Sequence, residues 1–188
     1  MADMSVIISG FGGQGALFAG ILLCHTAVFE GKYTTWFPAY GAEMRGGAVN
    51  CAVNISDDEV PSPIIDEADA VIALNEASQA KFENRVKSGG FMIVNSSLSR
   101  LKPKRTDIKY INIPLNELAH KLTQPAFVNV MALGAFIEKT GILKLESIKE
   151  VMTEMAKTVS AKKAALLPNN IECVEFGANI IKNQLVTV

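Results

Sequence analysis

Ser5-Val6-Ile7-Ile8-Ser9-Gly10-Phe11-Gly12-Gly13-Gln14-Gly15 decides how the rest of the chain is read. A short apolar run feeds a glycine-rich turn, and a helical pattern follows from Ala16 to Glu30. Strand, glycine turn and helix in that order make a cradle for a phosphate. Glycine permits the tight turn and lets ligand oxygens approach the backbone. The helix then aims its free N–H groups and the positive end of its dipole at the anion. Gly10, Phe11, Gly12, Gly13, Gln14 and Gly15 are therefore the first candidate ligand-binding residues.

Working outward, Gly31 closes the helix, and Tyr33–Phe37 is β-branched and aromatic, a second strand that Pro38 should end. Ala48 to Ile55 alternates, with Val49, Cys51, Val53 and Ile55 on one face and Asn50 and Asn54 on the other. That pattern fits a strand paired antiparallel or lying near an edge. Ala70–Leu74, Phe91–Val94 and Ile108–Ile113 are short buried strands, and a helix from Glu76 to Lys87 should stop at Gly89-Gly90. From Asn116 onward the pattern is helical, interrupted at Pro125, Gly141 and Pro168. The expected fold is α/β and three-layered: a mostly parallel, Rossmann-like sheet with a helix-rich C-terminal third that packs across a sheet face or serves for docking.

Composition narrows the function. The 188 residues, 49% hydrophobic and 20% charged, suit a single domain over residues 1–188. No apolar stretch reaches the roughly 18 residues a membrane span needs. Met1-Ala2-Asp3-Met4 carries no basic leader, so a cytoplasmic location is expected. A net charge of −1 argues against nucleic acid as partner. It conceals an asymmetry, because residues 1–70 hold two basic and nine acidic groups. Arg45 is thus nearly alone as a cation in the half that carries the glycine turn. Cys24, Cys51 and Cys173 are widely spaced and form no C-x-x-C, so neither an iron–sulfur cluster nor structural zinc is expected on this chain. They read as small buried hydrophobes. No metal site is expected around His25 or His120 either.

A nicotinamide dehydrogenase would carry an acidic residue about 20 positions beyond the glycines, at the end of the second strand. Here that strand runs Trp36-Phe37-Pro38-Ala39, without a carboxylate. The Lys-Ser or Lys-Thr of a P-loop and the Gly-x-Ser-x-Gly of a hydrolase are both missing. A ligand loop without a catalytic set suggests one subunit of a larger enzyme. A stand-alone NAD(P)- or nucleotide-binding protein remains the alternative.

The second unusual stretch is Pro38-Ala39-Tyr40-Gly41-Ala42-Glu43-Met44-Arg45-Gly46-Gly47. It leaves the carboxyl end of the second strand, the edge at which parallel sheets bind ligands. Arg45 suits bidentate binding of phosphate or carboxylate, with Tyr40, Glu43, Gly46 and Gly47 around it. A surface Arg45–Glu43 pair would stabilise by under about 1 kcal/mol, which hardly explains so glycine-rich a loop.

GFGGQG at Gly10–Gly15, YGAEMRGG at Tyr40–Gly47, Ser62-Pro63 and Asn129-Val130-Met131-Ala132-Leu133-Gly134 follow in order. With these motifs the chain resembles the gamma subunits of the 2-oxoacid:ferredoxin (or acceptor) oxidoreductases, the pyruvate/ketoisovalerate oxidoreductase gamma family. YGAEMRGGAVNC points toward the 2-oxoglutarate members. The resemblance spans about residues 5–180. It implies an enzyme that decarboxylates a 2-oxoacid on thiamine diphosphate and sends electrons through iron–sulfur clusters to ferredoxin or another acceptor, releasing acyl-coenzyme A. Thiamine diphosphate, Mg and the clusters would lie on alpha, beta and ferredoxin-like partner subunits. This chain would be non-catalytic alone, helping to bind coenzyme A and complete the assembly, with a homodimer expected for the isolated chain. The resemblance gives Gly12, Gly13 and Gly15 the phosphates, Gln14 a hydrogen bond and Arg45 a charge. Asn129 is a further candidate, or else a helix cap.

Overall fold

The computed structural model describes residues 4–40, 47–122 and 127–183. Six strands form one sheet in the order β2-β3-β1-β4-β5-β6. They are β1 (Met4–Phe11), β2 (Tyr33–Tyr40), β3 (Ala48–Ser56), β4 (Ala68–Ala73), β5 (Val86–Asn95) and β6 (Lys109–Ile113). β1, β4, β5 and β6 are mutually parallel, whereas β3 runs antiparallel to both of its neighbours, β1 and β2. β2 therefore points the same way as β1, and the carboxyl ends of five strands share one edge of the sheet. The mostly parallel α/β expectation holds, and so does the antiparallel pairing of the Asn50/Asn54 strand.

Seven helices of the described residues clothe the sheet: α1 (Ala16–Phe29), α2 (Glu76–Phe82), α3 (Leu115–Ala119), α4 (Val128–Thr140), α5 (Leu145–Lys157), α6 (Ala161–Ala164) and α7 (Leu167–Lys182). The period-2 alternation of β1 sorts the core into two faces. Val6 and Ile8 join the larger cluster with α1, α4, α5 and α7. Ile7, with Val71, Met92 and Val94, joins a smaller one that Phe82 of α2, Ile108 and Tyr110 close. The C-terminal helices do pack on the sheet: Phe136 of α4 stacks on Phe91 of β5 at a centroid distance of 6.3 Å. α1 is apolar nearly all round: it packs against β2 and β3 on one side and α5 on the other, while Phe18, Val28 and Phe29 remain exposed. Its end is a Schellman cap, with Lys32 N donating to Ala27 O and Gly31 N to Val28 O.

Two boundaries differ from the sequence reading. β2 does not stop at Phe37; Pro38 lies inside it, opposite Cys51 of β3. β2 is an edge strand, so a proline lacking an N–H removes no ladder bond on its free side. The helix expected to reach Lys87 ends at Phe82, a 3₁₀ turn covers Glu83–Arg85, and β5 begins at Val86. β5 runs through Gly89-Gly90, and a register shift between Ala68 and Ala70 absorbs the irregularity. Pro168 does not interrupt a helix but sits in the first turn of α7, where its missing N–H is harmless. Pro125 lies outside the described residues.

At the amino ends of the strands, Asp69 of β4 accepts from Ser5 N and Ser5 Oγ of β1 and from Lys87 Nζ of β5. Burial alone would raise the Asp69 carboxyl, but the hydrogen bonds from Lys87 and Ser5 outweigh it and hold it below the usual carboxylate range. The opposite edge is left to the glycine turns.

Candidate functional site

Gly13 and Gly15 adopt φ of +103° and +77°, so the turn occupies the left-handed region twice. Gly15 is the residue that caps α1, and no side chain caps the helix or places an acid in its first turn. The leading N–H groups of a 14-residue helix thus remain available to a ligand. A side chain added at Gly13 would meet nothing within 4 Å, so this glycine faces open space. A Cβ at Gly15 would instead stand 2.5 Å from Asn129 Nδ2.

The turn is braced from beneath by amides. Gln14 Oε1 accepts from Phe11 N and from Asn75 Nδ2, both at 2.7 Å, while Gln14 Nε2 donates to Leu74 O at 3.3 Å. Both ends of the Gln14 side chain are therefore engaged inside the protein. Asn75 also caps α2, accepting from Ser78 N. Asn95, fully buried at the end of β5, donates to Leu74 O and to Asn116 Oδ1, and its own Oδ1 finds no partner among the described residues. Asn129 does not cap α4, whose capping position is Phe127. It reaches back across the chain, and its Nδ2 donates to Gly15 O at 3.1 Å.

The two glycine loops meet: Gly12 N donates to Gly47 O at 3.1 Å. Tyr40, at the carboxyl end of β2, is 68% exposed. Glu43, Arg45 and Gly46 lie outside the described residues. Ser62 is not part of this region, since its carbonyl accepts from Asn54 toward the other end of the sheet.

Beside the turn lies a cavity of about 740 Å³. Gly13, Gln14, Gly15 and Asn129 form one wall; Met152 and Met155 of α5, with Leu166, Leu167 and Asn170, form another. Its described lining holds no carboxylate, and its one charged residue is Lys163. Sequence reasoning missed Asn75, Asn95, Asn116 and the α5–α7 wall. The asparagines had a signal, because each follows soon after a buried strand, at the carboxyl edge of the sheet. The wall had none, since Met and Leu at helical spacing read as core.

Cys51 and Cys173 are buried and Cys24 is half-buried. Burial pushes the Cys51 thiol up to about 12, with Trp36 opposing it, and also raises Cys24 and Cys173. Among the described residues, no group of three or more His, Cys, Asp or Glu could hold a metal ion. His25 and His120 are exposed and line no part of the cavity. No described helix is long and apolar enough to cross a membrane. β3 also stands between β1 and β2, unlike the dinucleotide fold, whose ribose-binding acid comes from the strand beside the first.

Comparison with known proteins bears on what this edge serves. The model of the pyruvate ferredoxin/flavodoxin oxidoreductase family matches residues 5–180. The chain is 34% identical over 94% of its length to the ketoisovalerate oxidoreductase subunit VorA of Methanothermobacter thermautotrophicus, of which it spans 36%. It thus covers about a third of that relative. A keto/oxoacid ferredoxin oxidoreductase gamma subunit from Geobacter sulfurreducens superposes with a TM-score of 0.79 at 26% identity, covering 96% of this chain and 99% of that one. A 2-oxoglutarate:ferredoxin oxidoreductase from Magnetococcus marinus, solved with 2-oxoglutarate, coenzyme A and succinyl-CoA, shares the fold with a TM-score of 0.84 at 21% identity. There the match covers 97% of this chain and 32% of that one.

Proposed function

Because the chain belongs to the pyruvate ferredoxin/flavodoxin oxidoreductase family, we propose that it is the gamma-type subunit of a 2-oxoacid:acceptor oxidoreductase, a single domain over residues 1–188 that presents coenzyme A to the reaction. The observation that carries this reading is the juxtaposition of an anion-facing turn with a cavity of about 740 Å³. Phosphates fit the turn, where Gly13 is open and the first N–H groups of α1 converge. A pantetheine arm, apolar with two amides, fits the remaining space between Met152, Met155 and Leu167 and the asparagine side chains. The gamma subunit from Geobacter supports the subunit role, and the coenzyme A carried by the Magnetococcus enzyme supports the ligand.

In this reading the residues of the chain bind and orient. Gly13 and Gly15 offer backbone donors, whereas Gly12 N, expected from the sequence to hold a phosphate, is taken up by Gly47 O; Gln14 and Asn129 hold the turn in shape from behind. Arg45, with Tyr40, Glu43, Gly46 and Gly47, flanks the phosphates or meets a neighbouring subunit. The described residues provide no metal or cluster ligand set. In this reading, decarboxylation on thiamine diphosphate with Mg, and electron transfer through iron–sulfur clusters to ferredoxin or another acceptor, belong to alpha, beta and ferredoxin-like subunits, with the whole assembly in the cytoplasm.

Gly13→Asp places a carboxylate on the open side of the turn, where no atom within 4 Å obstructs it, although the φ of +103° strains any side chain. In the assembled enzyme it should raise the KM for coenzyme A about tenfold or more, through repulsion of a phosphate. Assembly and the KM for the 2-oxoacid should stay unchanged. An unaltered KM for coenzyme A would remove the turn from the binding site.

A further inference from the structure

The cavity has one described charge, and it comes from an element that the glycine-turn argument never uses. Lys163 lies on α6, the four-residue helix between α5 and α7. It lines the cavity while remaining exposed, and its ammonium forms no ion pair among the described residues. Lys162, its neighbour, is equally exposed and lines no part of the cavity. A second feature lies on the same wall: Asn170 lines the cavity, and its Oδ1 is buried with no partner among the described residues. A buried carbonyl without a donor costs stability until an N–H reaches it.

Together these describe a ligand that the glycine turn alone does not specify: an anion with an apolar body and an amide N–H. We propose that the α5–α7 wall is the second half of the binding site, with Lys163 as the ion-pairing residue for the ligand's anionic group and Asn170 Oδ1 as acceptor for an amide N–H. Coenzyme A has both groups, so the assignment rests on the reading above and extends it to a face on which the sequence motifs are silent. The flexible stem of Lys163 can follow a ligand inward along the apolar wall.

The test is calorimetric titration of the full chain with coenzyme A and, separately, fluorescence titration with pyrenesulfonate, an apolar anion without any N–H and unrelated to coenzyme A. Lys163→Glu should weaken both about tenfold or more, the usual scale for losing a charge-assisted contact and installing repulsion. Lys163→Arg should restore most of the affinity. Lys162→Glu, the same change in net charge one residue away, should leave both unchanged. Asn170→Leu should weaken coenzyme A and spare the sulfonate, which lacks the amide. Equal effects of Lys162→Glu and Lys163→Glu would overturn the ion-pairing role, as would no effect of Lys163→Glu. A wild-type chain that binds the sulfonate through Lys163 but ignores coenzyme A would overturn the coenzyme A reading and keep the wall. Binding of neither probe would overturn both.

Discussion

At Gly15 two demands fall on one residue. Its φ of +77° is strained for any L side chain, and a Cβ there would run into Asn129 Nδ2 at 2.5 Å. The contact is reciprocal, since Asn129 donates to Gly15 O and so ties α4 to the start of α1. Gly15→Ala should therefore cost about 1–3 kcal/mol, combining left-handed strain with displacement of Asn129. Chemical denaturation would read it as a lower midpoint. Asn129→Ala removes the obstacle together with its hydrogen bond to Gly15 O, so in that background Gly15→Ala should cost less than in the wild type but more than zero, because the φ strain remains. No residual cost in that background would show that sterics alone keep Gly15. The glycines of this turn were legible in the sequence because only a glycine-rich turn satisfies such geometry. The role of Asn129 was not, because its partner is 114 residues away in sequence.

At the scale of elements, the cavity wall depends on how closely α4 and α7 approach. A Cβ on Gly134 would lie 2.0 Å from Val174 O, and one on Gly177 would lie 1.9 Å from Met131 O. Each helix thus presses its backbone into a notch of the other, and because the obstacles are backbone atoms they cannot rotate away. Gly134→Ala should push α7 outward and destabilise the chain by about 1–3 kcal/mol, lowering Tm by roughly 2–4 °C per kcal/mol. An unchanged Tm would mean that the two helices are not packed this closely. Strand and helix types were readable from periodicity, since Val6/Ile8 against Ile7 and the Asn50/Asn54 alternation record the faces directly. Boundaries were not where pairing overrides local preference. Pro38 stays in β2 because the strand has a neighbour on one side only, and Val86 enters β5 because Ala68 pairs with it. Proline and glycine read as stop signals, while the sheet around them decided otherwise.

At the scale of the molecule, one edge of the sheet gathers the carboxyl ends of five strands, the first glycine turn with Gly47 beside it, a layer of asparagines and the cavity. Among the described residues, amide side chains brace this edge by bonding to one another and to the backbone. Under the proposed function, the chain binds while partner subunits react. The exposed aromatics Phe29, Tyr33, Phe37 and Tyr40 along β2 and the end of α1 fit the same picture of a surface that partner subunits cover. The measurement that tests it most directly is anaerobic affinity purification of the tagged chain from its native cells, with mass spectrometry and an assay of dye reduction by 2-oxoglutarate and other 2-oxoacids. The account predicts thiamine-binding and cluster-carrying subunits in fixed ratio to the chain, and dye reduction that requires coenzyme A. A chain recovered alone, or an assembly whose 2-oxoacid oxidation proceeds to the same extent without coenzyme A, would contradict it.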